Sequence, residues 1–531
     1  VFGMPSFTLL GPRVVRLPFI LRTSYPHEIL HNWWGNSVYI EYGSGNWAEG
    51  LTAYLADHLM SEQSGMGHSY RESTLQKYAD YVAERQDSPL TSFVSRHSAA
   101  SEALGYGKAL MTFHMLRDLV GDKLFKKALE KFYSEMLWKR ASWSDLQRVF
   151  SEVYGSDLGW FFHQWVERPG APSIEIEEVK AADGAVSGVI RQRQGDLYDF
   201  DLKIAVTTGD DVLYQKVSVS GERTPFSIDV NGSPLRVDAD PEFDLFRLLD
   251  SSETPPALSG LFGSKKLTFI LPSGAGEELL DGYLALADKL SASVEGEAVT
   301  LLDSEVDGLP KDGSVWLMGW ENLFREKFEA EAAPYALTLR EEESDMGYAT
   351  VPREGHSIVV TAKRSDDSAS YIALLAADST LPMEGLARKL PHYHKYSYLG
   401  FEGGEPVNIA KGRWPAVGSP LTHYFAQDAA IGKLPKRAPL ATIPPLFSSK
   451  RMRESVELLS SPTFEGRGFG SEGLARASEY LAGQFKDAGL EPAGDDGFLQ
   501  EFTESGAEGK KGAIKNVLGV IKGKDPKLKD E

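Results

Sequence analysis

The sequence predicts a multidomain α+β chain, in which a mostly helical lobe is followed by a β-sandwich, a three-layer α/β domain and an incomplete C-terminal α/β segment. Three observations carry that expectation. Apolar residues recur at three-and-four spacing up to about residue 165, alternate over short stretches from 173 to about 249, and then form apolar strands that take turns with helices to about 427. A length of 531 residues with 42% hydrophobic content suits three or four such domains.

In chain order, "ALMTFHMLRDLV", "KLFKKALEKFYSEML" and "SWSDLQRVFSEVYG" define the helical lobe, expected over 1–168. The break "RPGAP" changes the period. From there "DLKIAVTTG", "VLYQKVSVSG", "PFSIDVNG" and "PLRVDAD" read as strands between Gly, Asp and Asn turns, a sandwich over 169–255. In 256–430 the strands "KLTFILP", "SVWLMGW" and "HSIVVTAK" alternate with the expected helices "EELLDGYLALADKLSA" and "SASYIALLAAD", which is the βαβ pattern. A Pro- and Lys-rich linker is expected over 431–450, and a last segment over 451–531. No repeat or low-complexity tract interrupts this order.

A formal charge of −20 argues against a protein that grips a nucleic-acid backbone. With no cysteine, any metal must be held by His, Asp or Glu. No apolar run approaches the roughly 20 residues that span a bilayer. The chain opens on Val1 instead of an initiator Met, so it reads as a fragment or processed form.

The stretch "PHEILHNWWGN", residues 26–36, holds His27 and His31 four apart on one helical face, with Glu28 about 100° round. Two imidazoles so placed can share one ion while the carboxylate faces a water on it. Pro26 is tolerated only in a first turn. In "SGNWAEGLTAYLADHL", Glu49 stands near the start of a second helix, and small Ala48 and Gly50 let that helix approach the first. Glu41, in the intervening loop, is the alternative third ligand.

Together "HEILHNWWGN" and "NWAEG" resemble the thermolysin-like gluzincin peptidases of the aminopeptidase N and leukotriene hydrolase family, and the likeness extends over about 1–249. The resemblance implies a thermolysin-like lobe, one Zn2+ held by His27, His31 and Glu49, Glu28 as general base, and a peptide substrate. It also implies an exported, periplasmic or extracellular parent protein. Seventeen residues lie between His31 and Glu49, one fewer than in the family, and the Gly-rich "IEYGSGN" can absorb that deletion. "GYGKALM" resembles the family's "YxKG" helix and makes Tyr106 the oxyanion donor. The family's amine-anchoring "GAMEN" strand corresponds to "FGMPS", where Met4 stands 23 residues before His27 and Pro5 and Ser6 replace the Glu and Asn. Strict aminopeptidase action is not implied.

The segment 451–531 resembles the opening of di-zinc aminopeptidases related to aminopeptidase S, through "LSSP", "EGRG", "AGLEPAG" and "NVLGVIKG". After that strand only Asp525, Asp530 and Glu531 are acidic, no His follows His423, and the strand itself lacks an expected partner. Gly468, Gly470 and Gly473 match a dinucleotide fingerprint but follow no strand. His392 and His394 alternate as on a strand face, but with aromatic neighbours and no third ligand they read as a packed loop and not a metal site. The expected function is zinc-dependent peptide hydrolysis, aminopeptidase-like but with the amine-anchoring Glu motif replaced, and the alternative is a non-catalytic binding or scaffold protein descended from such a peptidase.

Overall fold

A computed structural model describes residues 2–5, 7–12, 14–17, 20–82, 87–209, 211–367, 369–442, 448–505 and 511–523. The positions read above as Ser6, Asp525, Asp530 and Glu531 lie outside these residues. Mixed α/β architecture extends over several sheets and helices, in two compact units of residues 1–441 and 442–531.

In the first unit the helical lobe forms as its periodicity requires. The helix Trp143–Tyr154 shows why: Ser142 and Asp145 cap its first turn reciprocally, Gly155 ends it in the left-handed conformation, and Trp143, Leu146, Val149 and Phe150 are buried. Helices Ala109–Val120 and Asp122–Met136 join it around Phe113, Phe125 and Phe132, none of which is exposed. Short strands β1 (Phe2–Met4) and β2 (Phe7–Leu9) pair as an antiparallel hairpin against α1 (Ser24–Leu30).

Two antiparallel sheets follow. One orders Ile174–Ala182, Ala185–Gln192 and Arg223–Asp229, and the other orders Thr422–Tyr424, Arg236–Ala239, Phe200–Thr208 and Asp211–Val219. Val186 and Ile190 of the first share a core with Leu202, Ile204 and Val206 of the second. The strand Thr422–Tyr424 falls in the span expected for the α/β domain, yet it pairs with Arg236–Asp238. The chain also stays on this unit past residue 431, where a linker is expected. Gly432 N–H donates to Thr207 Oγ1, Arg437 pairs with Asp118, and buried Leu440 donates its N–H to Glu62.

The α/β domain is a seven-stranded sheet ordered Glu297–Leu302, Lys266–Leu271, Ser314–Met318, Tyr371–Ala377, His356–Lys363, Tyr398–Glu402, Val407–Gly412. Its first four strands are parallel and the rest antiparallel. Successive residues alternate between two cores: Phe269, Trp316 and Leu375 face one, Ile270, Leu317 and Leu374 the other. One expected helix is instead a strand. "SASYIALLAAD" forms the strand Tyr371–Ala377, buried along its whole length at the centre of the sheet. An unbroken apolar run carries no period, and burial on both faces is what makes such a run a strand.

The second unit contains helices Ser449–Leu459 and Glu472–Asp487 and an antiparallel pair, Leu499–Ser505 with Lys511–Val517. The "NV" of "NVLGVIKG" therefore has a hairpin partner, where the sequence offers none. A 3₁₀ turn, Pro462–Arg467, precedes the glycine fingerprint. A Cβ on Gly473 would overlap the Phe464 carbonyl oxygen, so that glycine serves helix-to-turn packing.

Candidate metal and peptide-binding site

Helix α1 begins at Ser24, which puts Pro26 in its first turn, and His31 closes it in right-handed conformation with its N–H bonded to the His27 carbonyl. His27 and His31 thus stand one above the other. The second helix, α2 (Trp47–Ala53), starts on an Asn46 cap that accepts from Ala48 N–H, with Glu49 in its first turn. Gly50 is what seats α2, but against a different neighbour from the one expected. A Cβ there would come 2.2 Å from Ala109 Cβ, so the close approach is to the helix Ala109–Val120 and not to α1.

This scaffold brings three donors together. Nε2 of His27 and Nε2 of His31 lie 3.1 Å apart, and each is 3.3 Å from Glu49 Oε2. Both Nδ1 atoms are committed elsewhere: His27 Nδ1 to Asp57 Oδ2 at 2.7 Å, His31 Nδ1 to the Trp34 carbonyl at 2.9 Å. If each Nδ1 carries its proton to that acceptor, two nitrogen lone pairs and a carboxylate oxygen converge with nothing positive between them. The donor set fits zinc. Bonds of 2.0–2.1 Å in a tetrahedron separate ligands by about 3.3 Å, close to the spacings seen, and imidazole nitrogen plus carboxylate oxygen suit the ion. Among the described residues this is the one group of three or more potential ligands so gathered. Glu41 is not part of it; its backbone N–H donates to Ala141 and it begins the 3₁₀ turn Tyr42–Ser44.

Burial would depress the His27 pKa, but hydrogen bonds to Asp57 and Glu49 and the charges of both carry it to about 10. Burial likewise opposes ionisation of Glu49, yet bonds from His27 and His31 hold its carboxyl well below the usual range.

Two π-helical turns complete the site. Asp57 lies in Tyr54–His58, directly after α2, and Tyr106 in Ala103–Lys108. The Tyr106 ring stacks on His27 with centroids 5.9 Å apart. Burial first, then the charge and hydrogen bond of Glu49, raise its pKa far above the ordinary value, so the phenol stays protonated. Gly105 has no room for a Cβ because the Phe93 ring fills that space. Sequence reading missed Asp57, although a carboxylate eight residues after Glu49 on one helix was there to be found.

Glu28 faces a cleft of about 1280 Å³ that also exposes His27, His31, Glu49, Asp57 and Tyr106. Strand β1 crosses α1 at its mouth. A Cβ on Gly3 would sit 2.6 Å from the Glu28 carbonyl oxygen and 3.1 Å from Glu28 Oε2, and Asn36 Nδ2 donates to Gly3 O at 3.2 Å. His394 also lines the cleft, whereas His392 is exposed on the 3₁₀ turn Leu390–His392, so the two lie in a loop, as expected, and not on a strand face. Pro391 at the second position of that turn, a residue unsuited to a sheet interior, is the reason.

A family model described as the peptidase family M1 domain matches residues 23–165. Among curated proteins, similar stretches occur in a probable aminopeptidase 1 of Sulfurisphaera tokodaii, 26% identical over 158 residues, which is 28% of this chain and 20% of that protein. The leucyl aminopeptidase of Saccharolobus solfataricus is 23% identical over 157 residues, 28% and 20% of the two chains. Aminopeptidase N of Lactococcus lactis is 26% identical over 163 residues, 29% and 19%. Among solved structures, Legionella pneumophila aminopeptidase A in complex with aspartic acid is 19% identical, covering 45% of this chain and 27% of that one at a TM-score of 0.32. The chain spans about a fifth of the length of the curated relatives it matches.

Proposed function

We propose, from the membership of residues 23–165 in peptidase family M1, that this chain is a zinc-dependent metallopeptidase of aminopeptidase type. The observation that carries the reading is the convergence of His27, His31 and Glu49 at 3.1–3.3 Å with both Nδ1 atoms already committed. Zinc held by these three supplies Lewis acidity, which acidifies water and polarises a carbonyl oxygen. Asp57 and the Trp34 carbonyl fix the imidazole tautomers so that both Nε2 lone pairs face inward. Glu28, on the cleft side of α1, takes a proton from the attacking water and returns it to the leaving amine. Tyr106, kept protonated, donates its hydroxyl to the oxyanion as it forms.

The β1 strand lies where a peptide would be aligned, and Pro5 stands where the family's anchoring Glu is expected. The amine requirement of a strict aminopeptidase is therefore relaxed in this reading. One experiment separates enzyme from scaffold. Glu28→Gln should keep about one zinc per chain and lose hydrolysis by at least roughly 10²-fold, because an amide cannot accept the proton. Turnover near wild type would remove Glu28 as base, and zinc-free wild-type protein would favour the scaffold.

A further inference from the structure

The cleft carries a second chemistry besides the three convergent ligands. Part of its wall is basic: Lys77 and Arg96 come from the helical lobe, Lys395 and Arg413 from the α/β domain. Glu102 serves two of them, with Lys77 Nζ at 2.5 Å and Arg96 Nε at 2.9 Å. Arg413 reaches Glu72 at 3.2 Å and Gln76 Oε1 at 2.6 Å. Lys395 is in no ion pair among the described residues, and its ammonium lies over the Tyr396 ring at 5.3 Å. Four cations thus share two carboxylates, in a chain whose formal charge is −20. Positive charge concentrated in a cleft with low-dielectric walls attracts anions strongly.

Two further observations show this group to be short of an anion. Nε of Arg413 is buried and has no hydrogen-bond partner among the described residues, a costly state for a charged donor. The Lys395 pKa is depressed, first by partial desolvation in the cleft and then by the charges of Arg413, Lys411 and Lys77, although its side chain is exposed. Like charges have been brought together without enough counter-charge. Their place along the cleft is set by Glu102, which is one helical turn before Tyr106.

We propose that Lys77, Arg96, Lys395 and Arg413 form a carboxylate-binding subsite that selects peptides bearing an anionic group beyond the bond held at the His27–His31–Glu49 centre. The carboxylate is the C-terminal one of a short peptide or an acidic side chain. This rests on the peptidase reading, because that reading is what makes the cleft a peptide path. It gives the α/β domain a job: its Lys395 and Arg413 complete a cleft that the helical lobe begins.

The test uses the whole zinc-loaded chain and three short peptides of one sequence: the free acid, the C-terminal amide, and the amide with a Glu introduced on the leaving side. The free acid should exceed the amide in kcat/KM by roughly tenfold, chiefly through KM, as one charge-assisted bond is worth. Recovery by the Glu peptide would assign the subsite to side chains, and no recovery would assign it to the C-terminal carboxylate. Lys395→Gln and Arg413→Gln should each shrink the acid-to-amide ratio, and Lys395, exposed and unpaired, keeps the test independent of folding. Equal rates for all three peptides, or a ratio unchanged in both variants, would overturn the proposal. Turnover of the amide alone tests the peptidase reading. If no peptide is cleaved that reading fails, and the same acid-to-amide ratio is then measured as Kd by calorimetry, where equal affinities overturn the subsite as well.

Discussion

Replacing Gly50 with alanine should loosen the metal-ligand triad without touching a ligand. The new Cβ would stand 2.2 Å from Ala109 Cβ and 3.0 and 3.1 Å from Ala109 C and Cα, where carbon atoms prefer about 3.5–4.0 Å. None of these atoms can rotate away, so α2 or its neighbour must shift as a body. Alanine gains about 1 kcal/mol over glycine inside a helix. Overpacking against backbone costs about 1–3 kcal/mol, and with three contacts this short the upper end applies, leaving a net loss of about 2 kcal/mol. Because Glu49 precedes Gly50, the same shift draws Oε2 from its place 3.3 Å from both imidazoles. Zinc retention against graded chelators should fall by roughly tenfold or more, the scale of a disturbed ligand support, and calorimetry should show a lower Tm. Adding Ala109→Gly removes the 2.2 Å contact and should restore part of both, with a coupling of about 1 kcal/mol. Wild-type zinc affinity and Tm in the single variant, or a double variant no better than additive, would refute the packing argument.

Three other outcomes are expected. Asp57→Asn should weaken zinc binding about 10- to 100-fold, since the 2.7 Å bond that orients His27 loses its charged acceptor; unchanged affinity in a competition titration would make Asp57 a bystander. His394 is held neutral, with burial first and the Lys77 charge next lowering its pKa to about 4. An unfolded histidine takes up its proton near 6.5, so this contribution to stability is fully present above that pH and is lost as pH falls toward 4, by about 3 kcal/mol at most. The stability difference between wild type and His394→Gln should shrink over that window, and a flat difference would remove the assignment. Deleting residues 451–531 should leave zinc content unchanged, because the one gathered ligand set among the described residues lies in the first unit; a second metal equivalent that disappears with the deletion would place a working site there.

What could be read from the sequence was the chemistry that is local. His27 and His31 are one turn apart, and a single helix start fixes both, so their spacing alone announces the pair. Glu49 needed only a short loop and a capped helix to arrive. Two errors came from segments whose state is decided by distant partners. "YIALLAA" has neither helical nor alternating period, and only strands on both sides make it the centre of a sheet. Gly50 is a residue of close approach, as its size implies, but the helix it approaches begins 59 residues later at Ala109, and nothing in the local pattern names it.

The same distinction explains why the basic wall escaped a linear reading. Lys77 and Arg413 are separated by 336 residues, and each on its own is a cation beside a carboxylate. Only one continuous core, running from Trp47 and Phe132 through Trp165 and Phe246 to Leu258 and Phe269, holds the lobe and the α/β sheet closely enough for the two to line a single cleft. A ligand triad of the kind proposed for His27, His31 and Glu49 must be placed to fractions of an ångström, and these three residues sit on two adjacent helices braced by Gly50 and the π-turn that carries Asp57. An anion subsite tolerates more slack, because charge acts over several ångströms and long side chains adapt. The proposed subsite can therefore be assembled across domains, while the proposed metal triad cannot. Substitutions in 394–413 should therefore change which peptides are taken and leave zinc content alone, and substitutions around Gly50 should do the reverse.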